Sequence, residues 1–263
     1  MTDIDLPLVS VLFVTYNRPH TLVATYETFL VTTDYPRDRL ELVVTDDGSD
    51  PDVQALIRRL DFDVYCFSDV NQGLGANFNK GLRACRGDYV LTLQDDWMCM
   101  RDGRYLRQAV AVLGAFDDIG MVILRDWGEA VVAETREIDG AQVRVLTSQR
   151  PEGGRLARTY SDNPHLKRRD FHDFVGPYLE GVAMTVMENE MTERVARQTR
   201  FKSALLSGFD PFVIIGGRYS FNPGRRRTRL ETMIAAAPFG SAALRGVRAL
   251  RRGWRQWVGK EGM

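Results

Sequence analysis

Three short apolar runs in this chain each end directly in a polar or acidic cluster, with helix-like spacing between them. Val9 to Val14 (VSVLFV) runs into TYNR, Leu40 to Thr45 (LELVVT) into DDGSD, and Tyr89 to Leu93 (YVLTL) into QDDW. A continuous apolar run of this length reads as a strand covered on both faces. Thr21 to Leu30 carries Leu22, Tyr26, Phe29 and Leu30 at helical spacing; Asp52 to Leu60 carries Val53, Leu56, Ile57 and Leu60. Val64 to Phe67 and Met121 to Leu124 add two strands. A Gly-rich turn with a helix covers Asn71 to Ala84, and Arg104 to Leu113 reads as a further helix. Such alternation predicts an α/β fold with a mostly parallel sheet, flanking helices and right-handed crossovers. Ligands of these sheets sit beyond the carboxyl ends of the strands. TYNR, DDGSD and QDDW are therefore expected to converge on one edge.

Beyond residue 125 the pattern loosens. Val131 to Leu146 predicts a hairpin, and Glu188 to Arg200 a charged helix. Residues 148–173, polar and rich in Arg and Gly, read as a mobile surface loop able to act as a lid. From Ala242 to Val258, Leu244, Val247, Leu250, Trp254, Trp257 and Val258 recur at three- or four-residue steps. Arg245, Arg248, Arg252 and Arg255 occupy much of the other face.

Charge sharpens that contrast. The 263 residues balance at 35 basic and 35 acidic, but from Arg194 onward there are 15 basic and 3 acidic residues. A basic C-terminal third on an acidic body points to an anionic partner. An amphipathic helix with Trp beside Arg fits an anionic membrane surface; a helix packed on the domain with solvated arginines is the plainer reading. Nucleic acid is not expected, because no matching motif accompanies the arginines. No apolar stretch reaches the ~18 residues of a membrane span. The acidic start MTDIDLPLVS lacks a secretory pattern. Cys66, Cys85 and Cys99 lack zinc or disulfide spacing, and three scattered histidines form no metal motif. A cytoplasmic protein, peripheral at most on the inner face of the membrane, is the expectation. No GxGxxG follows the first strand, which disfavours a dinucleotide-binding dehydrogenase.

Strand-end carboxylates suit a nucleotide diphosphate. Asp46 or Asp47 can accept from a base imide or a ribose hydroxyl; Asp95 and Asp96 can hold Mg2+ or Mn2+ against phosphates. The competing reading is that paired aspartates only cap turns.

The segment VSVLFVTYNRPHTLVATYETFLVTTDYPRDRLELVVTDDGSD resembles the start of family 2 glycosyltransferases with the GT-A fold. NQGLGANFNKGLRACRGDYVLTLQDDW is similar to that family's Asn-x-Gly helix and the metal-binding acidic motif after it. The likeness covers roughly residues 8–100. It implies that residues 1–125 form a nucleotide-sugar-binding half and 126–215 the acceptor-side half of the same domain; the charge and spacing pattern makes 216–263 a basic C-terminal extension with an amphipathic helix. The likeness implies that Thr15, Tyr16 and Arg18 line the nucleotide pocket. Asp46 and Asp47 would contact base and ribose, with Gly48 keeping their turn tight. Asn71 and Gly73 would shape the neighbouring loop, with Asn79 on the helix behind. Asp96 would face the metal, assisted by Asp95.

Two departures stand out: Asn77-Phe78-Asn79 replaces the family's frequent Ala-Arg-Asn, and Gln94 replaces the first aspartate of Asp-x-Asp. These keep a non-catalytic nucleotide-sugar-binding homologue as the alternative. The activity implied is inverting, metal-dependent sugar transfer from a UDP- or dTDP-sugar, ahead of a GDP-sugar. The acceptor would be a glycan or lipid-linked molecule in cell-surface polysaccharide or glycolipid assembly. Inversion needs a carboxylate base, and resemblance places it in Met187-Glu188-Asn189-Glu190-Met191. Glu188 is preferred over Glu190, with Glu180 a third candidate. The plainer reading of these acids is a helix start that complements the macrodipole.

Overall fold

The structure is a computed structural model. It describes residues 6–215 except 101, 102, 151, 153–155 and 209. The expected basic extension, with its amphipathic helix, lies outside the described residues. Nine strands make one sheet in the order β3-β2-β1-β4-β9-β6-β10-β8-β7. β1 (Val9–Thr15), β2 (Leu40–Asp46), β3 (Val64–Phe67) and β4 (Tyr89–Gln94) run parallel, joined by α1 (Pro19–Thr32), α2 (Pro51–Ile57) and α3 (Leu74–Ala84). After β5 (Trp97–Cys99) come α4 (Tyr105–Ala115) and β6 (Ile119–Ile123). The expected hairpin is β7 (Val132–Ile138) and β8 (Ala141–Leu146), turning at Asp139-Gly140 with both residues at positive φ. The chain continues through β9 (His165–Arg168), α5 (Phe171–Val175), α6 (Met184–Arg197), β10 (Lys202–Leu206) and β11 (Phe212–Ile214). β11 pairs with β5 in a small second sheet.

β1 shows why the continuous runs became central strands. All seven of its residues are buried. Val9, Val11 and Phe13 face a layer with Leu22, Tyr26 and Phe29 of α1 and Leu106 and Val110 of α4. Leu12 and Val14 face the opposite layer, with Phe78 of α3 and Met187, Met191 and Val195 of α6. Phe13 centres an aromatic cluster, its ring centroid 5.3 Å from Phe62, 5.7 Å from Phe29 and 6.0 Å from Tyr26. Burying a phenylalanine in this way contributes about 1.5–3 kcal/mol.

The second half of the stretch 148–173 is not a surface loop. His165–Arg168 is a central strand, antiparallel to both β4 and β6. Residues 159–162 just before it are buried as well. The sequence HLKR hid this because only Leu166 carries an apolar signal. Leu166 enters the α1/α4 layer. On the other face Lys167 is wholly buried, and its Nζ donates to His172 Nε2 and Tyr178 Oη, each at 2.9 Å. His172 in turn bonds the Gly176 carbonyl through Nδ1 at 2.8 Å, so it serves the packing. Burial pulls the Lys167 ammonium down to about 7.

The acidic helix also starts earlier than expected. α6 begins at Met184 and has no acid in its first turn, which removes the macrodipole explanation for Glu188.

Candidate active site

The ends of β1, β2 and β4 meet as the strand alternation requires. The backbone amides of Asp47 and Asp95 reach the carbonyls of Thr15 and Val14. Beneath them, Asn77 of α3 stitches two strands together. Its Nδ2 donates to the carbonyls of Thr15 (3.1 Å) and Thr45 (3.3 Å), and its Oδ1 accepts from Thr45 Oγ1 (2.6 Å).

The first acidic pair is committed to local structure. Asp46 is wholly buried; its carboxylate accepts from Ser49 N–H, the Ser49 hydroxyl and Gln54 Nε2. Asp47 accepts from the N–H groups of Gln72 and Gly73, each at 2.9 Å, bracing the loop that opens α3. Burial raises its pKa, opposed by those two hydrogen bonds. Directly after the pair Gly48 sits at φ +75, where a Cβ would lie 2.5 Å from the Val70 carbonyl carbon and 2.8 Å from the Asn71 nitrogen. Only glycine fits that approach. Asn71 is exposed on this loop, and Gly73 at φ +92 precedes α3.

Among the described residues, one cation faces both members of the second pair. Arg18 Nη1 lies 3.2 Å from Asp95 Oδ1 and 3.0 Å from Asp96 Oδ2, while Thr15 Oγ1 donates to Asp95 Oδ2 at 2.7 Å. Tyr16 is half-buried in the same loop. Burial pushes Asp95 up to about 7; Arg18 works against that and the neighbouring Asp96 adds to it. Asp96 is raised too, again chiefly by burial. Among the described residues no three potential metal ligands cluster. Two adjacent carboxylates still suit a hard cation that completes its shell with phosphate and water oxygens. Trp97, directly after the pair, is buried in the core, with the Arg125 guanidinium 5.8 Å from its ring centroid.

On the other side of β4, Gln94 Nε2 donates to Asp162, at 3.3 Å to its carbonyl and 3.2 Å to Oδ2. The Asp162 N–H donates to Glu188 Oε1 at 3.2 Å. Asp162 is buried, and burial together with the neighbouring Glu188 carboxyl raises its pKa well above the usual carboxylate value. Glu188 is buried on α6. Glu190 lies ~200° further round the helix. It pairs at 3.0 Å with Arg194, which also binds the Pro177 carbonyl. Glu180 is exposed and accepts from Asn79 Nδ2 at 2.8 Å. Asn79 also exchanges two hydrogen bonds with the Tyr178 backbone. The acidic pair, Arg18 and Glu188 are therefore joined to one strand end through β4, while Glu190 is turned away from it. Asp162 escaped the sequence reading, since SDN in a polar stretch carries no periodicity. Phe78, where an arginine was expected, is wholly buried and stacks on Tyr178 at 4.8 Å.

The sequence model of glycosyl transferase family 2 matches residues 10–173, more than half of the chain. The chain belongs to that family and has its GT-A fold. "Putative glycosyltransferase EpsH" of Bacillus subtilis (strain 168) is 30% identical over 123 residues, which cover 45% of this chain and 33% of that protein. Among solved structures, residues 1–349 of TarS from S. aureus superpose with a TM-score of 0.59 at 18% identity. The match covers 78% of this chain and 59% of TarS 1–349. The mannosyltransferase PcManGT from Pyrobaculum calidifontis, in complex with GDP-Man and Mn2+, gives a TM-score of 0.54 at 18% identity. That match covers 77% of this chain and 57% of PcManGT. The chain thus spans a third of the curated relative and under two thirds of these solved chains. At such identity the superpositions establish the fold. No helix among the described residues is long and apolar enough to cross a membrane.

Proposed function

We propose that this protein is an inverting glycosyltransferase that moves a sugar from a nucleotide-sugar donor to a hydroxyl of a glycan or lipid-linked acceptor. The observation that carries the reading is the Arg18, Asp95 and Asp96 cluster at the strand edge, with Glu188 joined to the same β4 end through Asp162. The TYNR loop and the Asp47-braced loop bound the donor pocket. Glu188 takes the proton of the acceptor hydroxyl as its oxygen attacks the anomeric carbon. The bond from that carbon to the diphosphate oxygen breaks, and the diphosphate departs with the electron pair. Arg18 lies beside the acidic pair, where negative charge grows as that bond breaks. Mg2+ or Mn2+ held by Asp96 with help from Asp95 would supply further neutralisation of the diphosphate.

A UDP- or dTDP-sugar is the favoured donor. TarS has been solved with UDP-GlcNAc and with UDP, which supports a uridine donor, whereas the PcManGT complex supports guanosine. Cell-surface polysaccharide or glycolipid assembly on the inner face of the membrane is the setting we favour, with residues 241–263 attached to anionic lipid. A second reading, a binding homologue without turnover, is favoured by Phe78: a buried aromatic ring stands where the family often has arginine.

A thermal-shift panel of UDP, dTDP and GDP with Mn2+, Mg2+ or EDTA tests donor and metal together. A ligand at ~100 times its Kd stabilises the folded state by roughly 2.7 kcal/mol. Stabilisation by one nucleotide that disappears in EDTA is the expected result; no shift with any nucleotide overturns both readings. Donor binding with no sugar transfer to any acceptor and no donor hydrolysis leaves the second.

A further inference from the structure

Gln94 is the residue by which this acidic motif departs from its family's pattern, and its amide has a defined task. The side chain reaches across from β4 to Asp162, the last acid before β9, and Nε2 donates to both its carbonyl and its carboxyl oxygen. Asp162 in turn meets Glu188 through its backbone N–H, which donates to Oε1 at 3.2 Å, and the Glu188 carboxyl is near enough to help raise the Asp162 pKa. All of this lies in the interior: Asp162 is 6% and Glu188 8% exposed. Two buried carboxyls in contact hold together when one proton lies between them. The carboxyl that carries it keeps one oxygen free to accept, and Gln94 fills that oxygen. An aspartate at position 94 would instead bring a third carboxyl to the pair with no proton donor of its own. The amide at 94 and the acid at 162 are therefore chemically matched.

We propose that Asp162 is the positioning residue for Glu188, and that Gln94 is retained in the acidic motif because it secures Asp162. The inference rests on Glu188 as the base and adds the residues that hold its carboxylate in place. It also removes the appearance of degeneracy from the motif, since Gln94 couples the donor edge to the acceptor base.

The test uses variants of the full chain, read by thermal unfolding, donor-nucleotide affinity and sugar-transfer turnover. Asp162→Asn has the shape of the protonated acid, donating to Glu188 and accepting from Gln94, and should keep Tm and turnover within about threefold. Asp162→Ala should lower turnover at least tenfold while nucleotide affinity stays unchanged, a split that a general loss of folding would not produce. Gln94→Asp should lower both Tm and turnover. Wild-type turnover in Asp162→Ala, or wild-type Tm and turnover in Gln94→Asp, overturns the proposal. If Gln94→Asp fails to fold, Gln94→Leu, which removes the donor without adding a charge, is read in its place: lowered turnover at unchanged nucleotide affinity supports the pairing, and wild-type turnover overturns it. Glu188→Gln separates the two levels. Full turnover there sinks the base assignment and the positioning role with it, while the Tm comparison independently judges the Gln94–Asp162 pairing.

Discussion

Two acidic doublets end two parallel strands of the same sheet, and their surroundings differ. Asp46 and Asp47 are met by neutral donors within reach of their own turn: a serine, a glutamine side chain and two backbone N–H groups. Asp95 and Asp96 are met by a threonine hydroxyl and one guanidinium carried on a different loop. The first doublet is satisfied by groups that cannot leave without unmaking the turn. The second is countered by a guanidinium, a charge for which another cation or an anionic ligand would compete. Chemistry is thus expected at the β4 end, and architecture at the β2 end.

Substitutions can break that contrast. The largest effect is expected for Asp96→Ala, which should reduce metal-dependent turnover by two orders of magnitude or more (~2.7 kcal/mol or above in transition-state terms) with Tm nearly unchanged. Unchanged turnover would remove the metal assignment. Gly48→Val should do the reverse: its side chain meets the Val70–Asn71 backbone at a strained φ, and a loss of roughly 2–4 kcal/mol is expected in a denaturant titration. Asp47→Ala leaves two loop N–H groups without their partner and should cost about 1–3 kcal/mol. A wild-type midpoint for that variant would show the brace to be dispensable.

Lys167 supplies a smaller, pH-dependent effect. Its folded pKa is depressed to about 7 from 10.5 by burial. Across that interval the unfolded chain binds a proton that the folded chain lacks, so stability rises with pH, and the penalty is present in full below pH 7. The rise is at most roughly 1.4 kcal/mol per pH unit. It is cleanest between pH 7 and 9, because the buried Cys85 thiol, pushed up to about 12, ionises only in the unfolded chain at higher pH and opposes it. Lys167→Met should flatten the slope measured by urea titration at pH 7, 8 and 9. An unaltered slope would assign it elsewhere. The smallest effect on turnover is expected from deleting residues 241–263, which should abolish co-sedimentation with anionic liposomes and leave donor hydrolysis within twofold. Retained liposome binding would sink the membrane reading.

The same division explains what could be read in the sequence. β1, β2 and β4 were legible because each is a run of apolar residues buried on both faces, and Thr15, Arg18, Asp95 and Asp96 follow from standing at their ends. β9 was illegible because half of its buried face is a lysine whose partners, His172 and Tyr178, are supplied only by the folded chain. Asp162 was lost with it. Glu188 was reached through resemblance alone; what sets it apart from Glu190 is a helix rotation visible once α6 is known to begin at Met184.

The position of β9 bears on how the chain comes together during synthesis. β4 and β6 are made early yet never pair with each other; each waits for a strand that follows the whole β7–β8 hairpin. Until His165–Arg168 has emerged, both present open edges with unpaired backbone groups. Insertion of that one strand closes the gap and, in the same event, delivers Asp162 to Gln94. A nascent chain that stops short of residue 168 therefore carries β6 apart from the β3-β2-β1-β4 half that holds the nucleotide edge, and the link from Gln94 through Asp162 to Glu188 is made late.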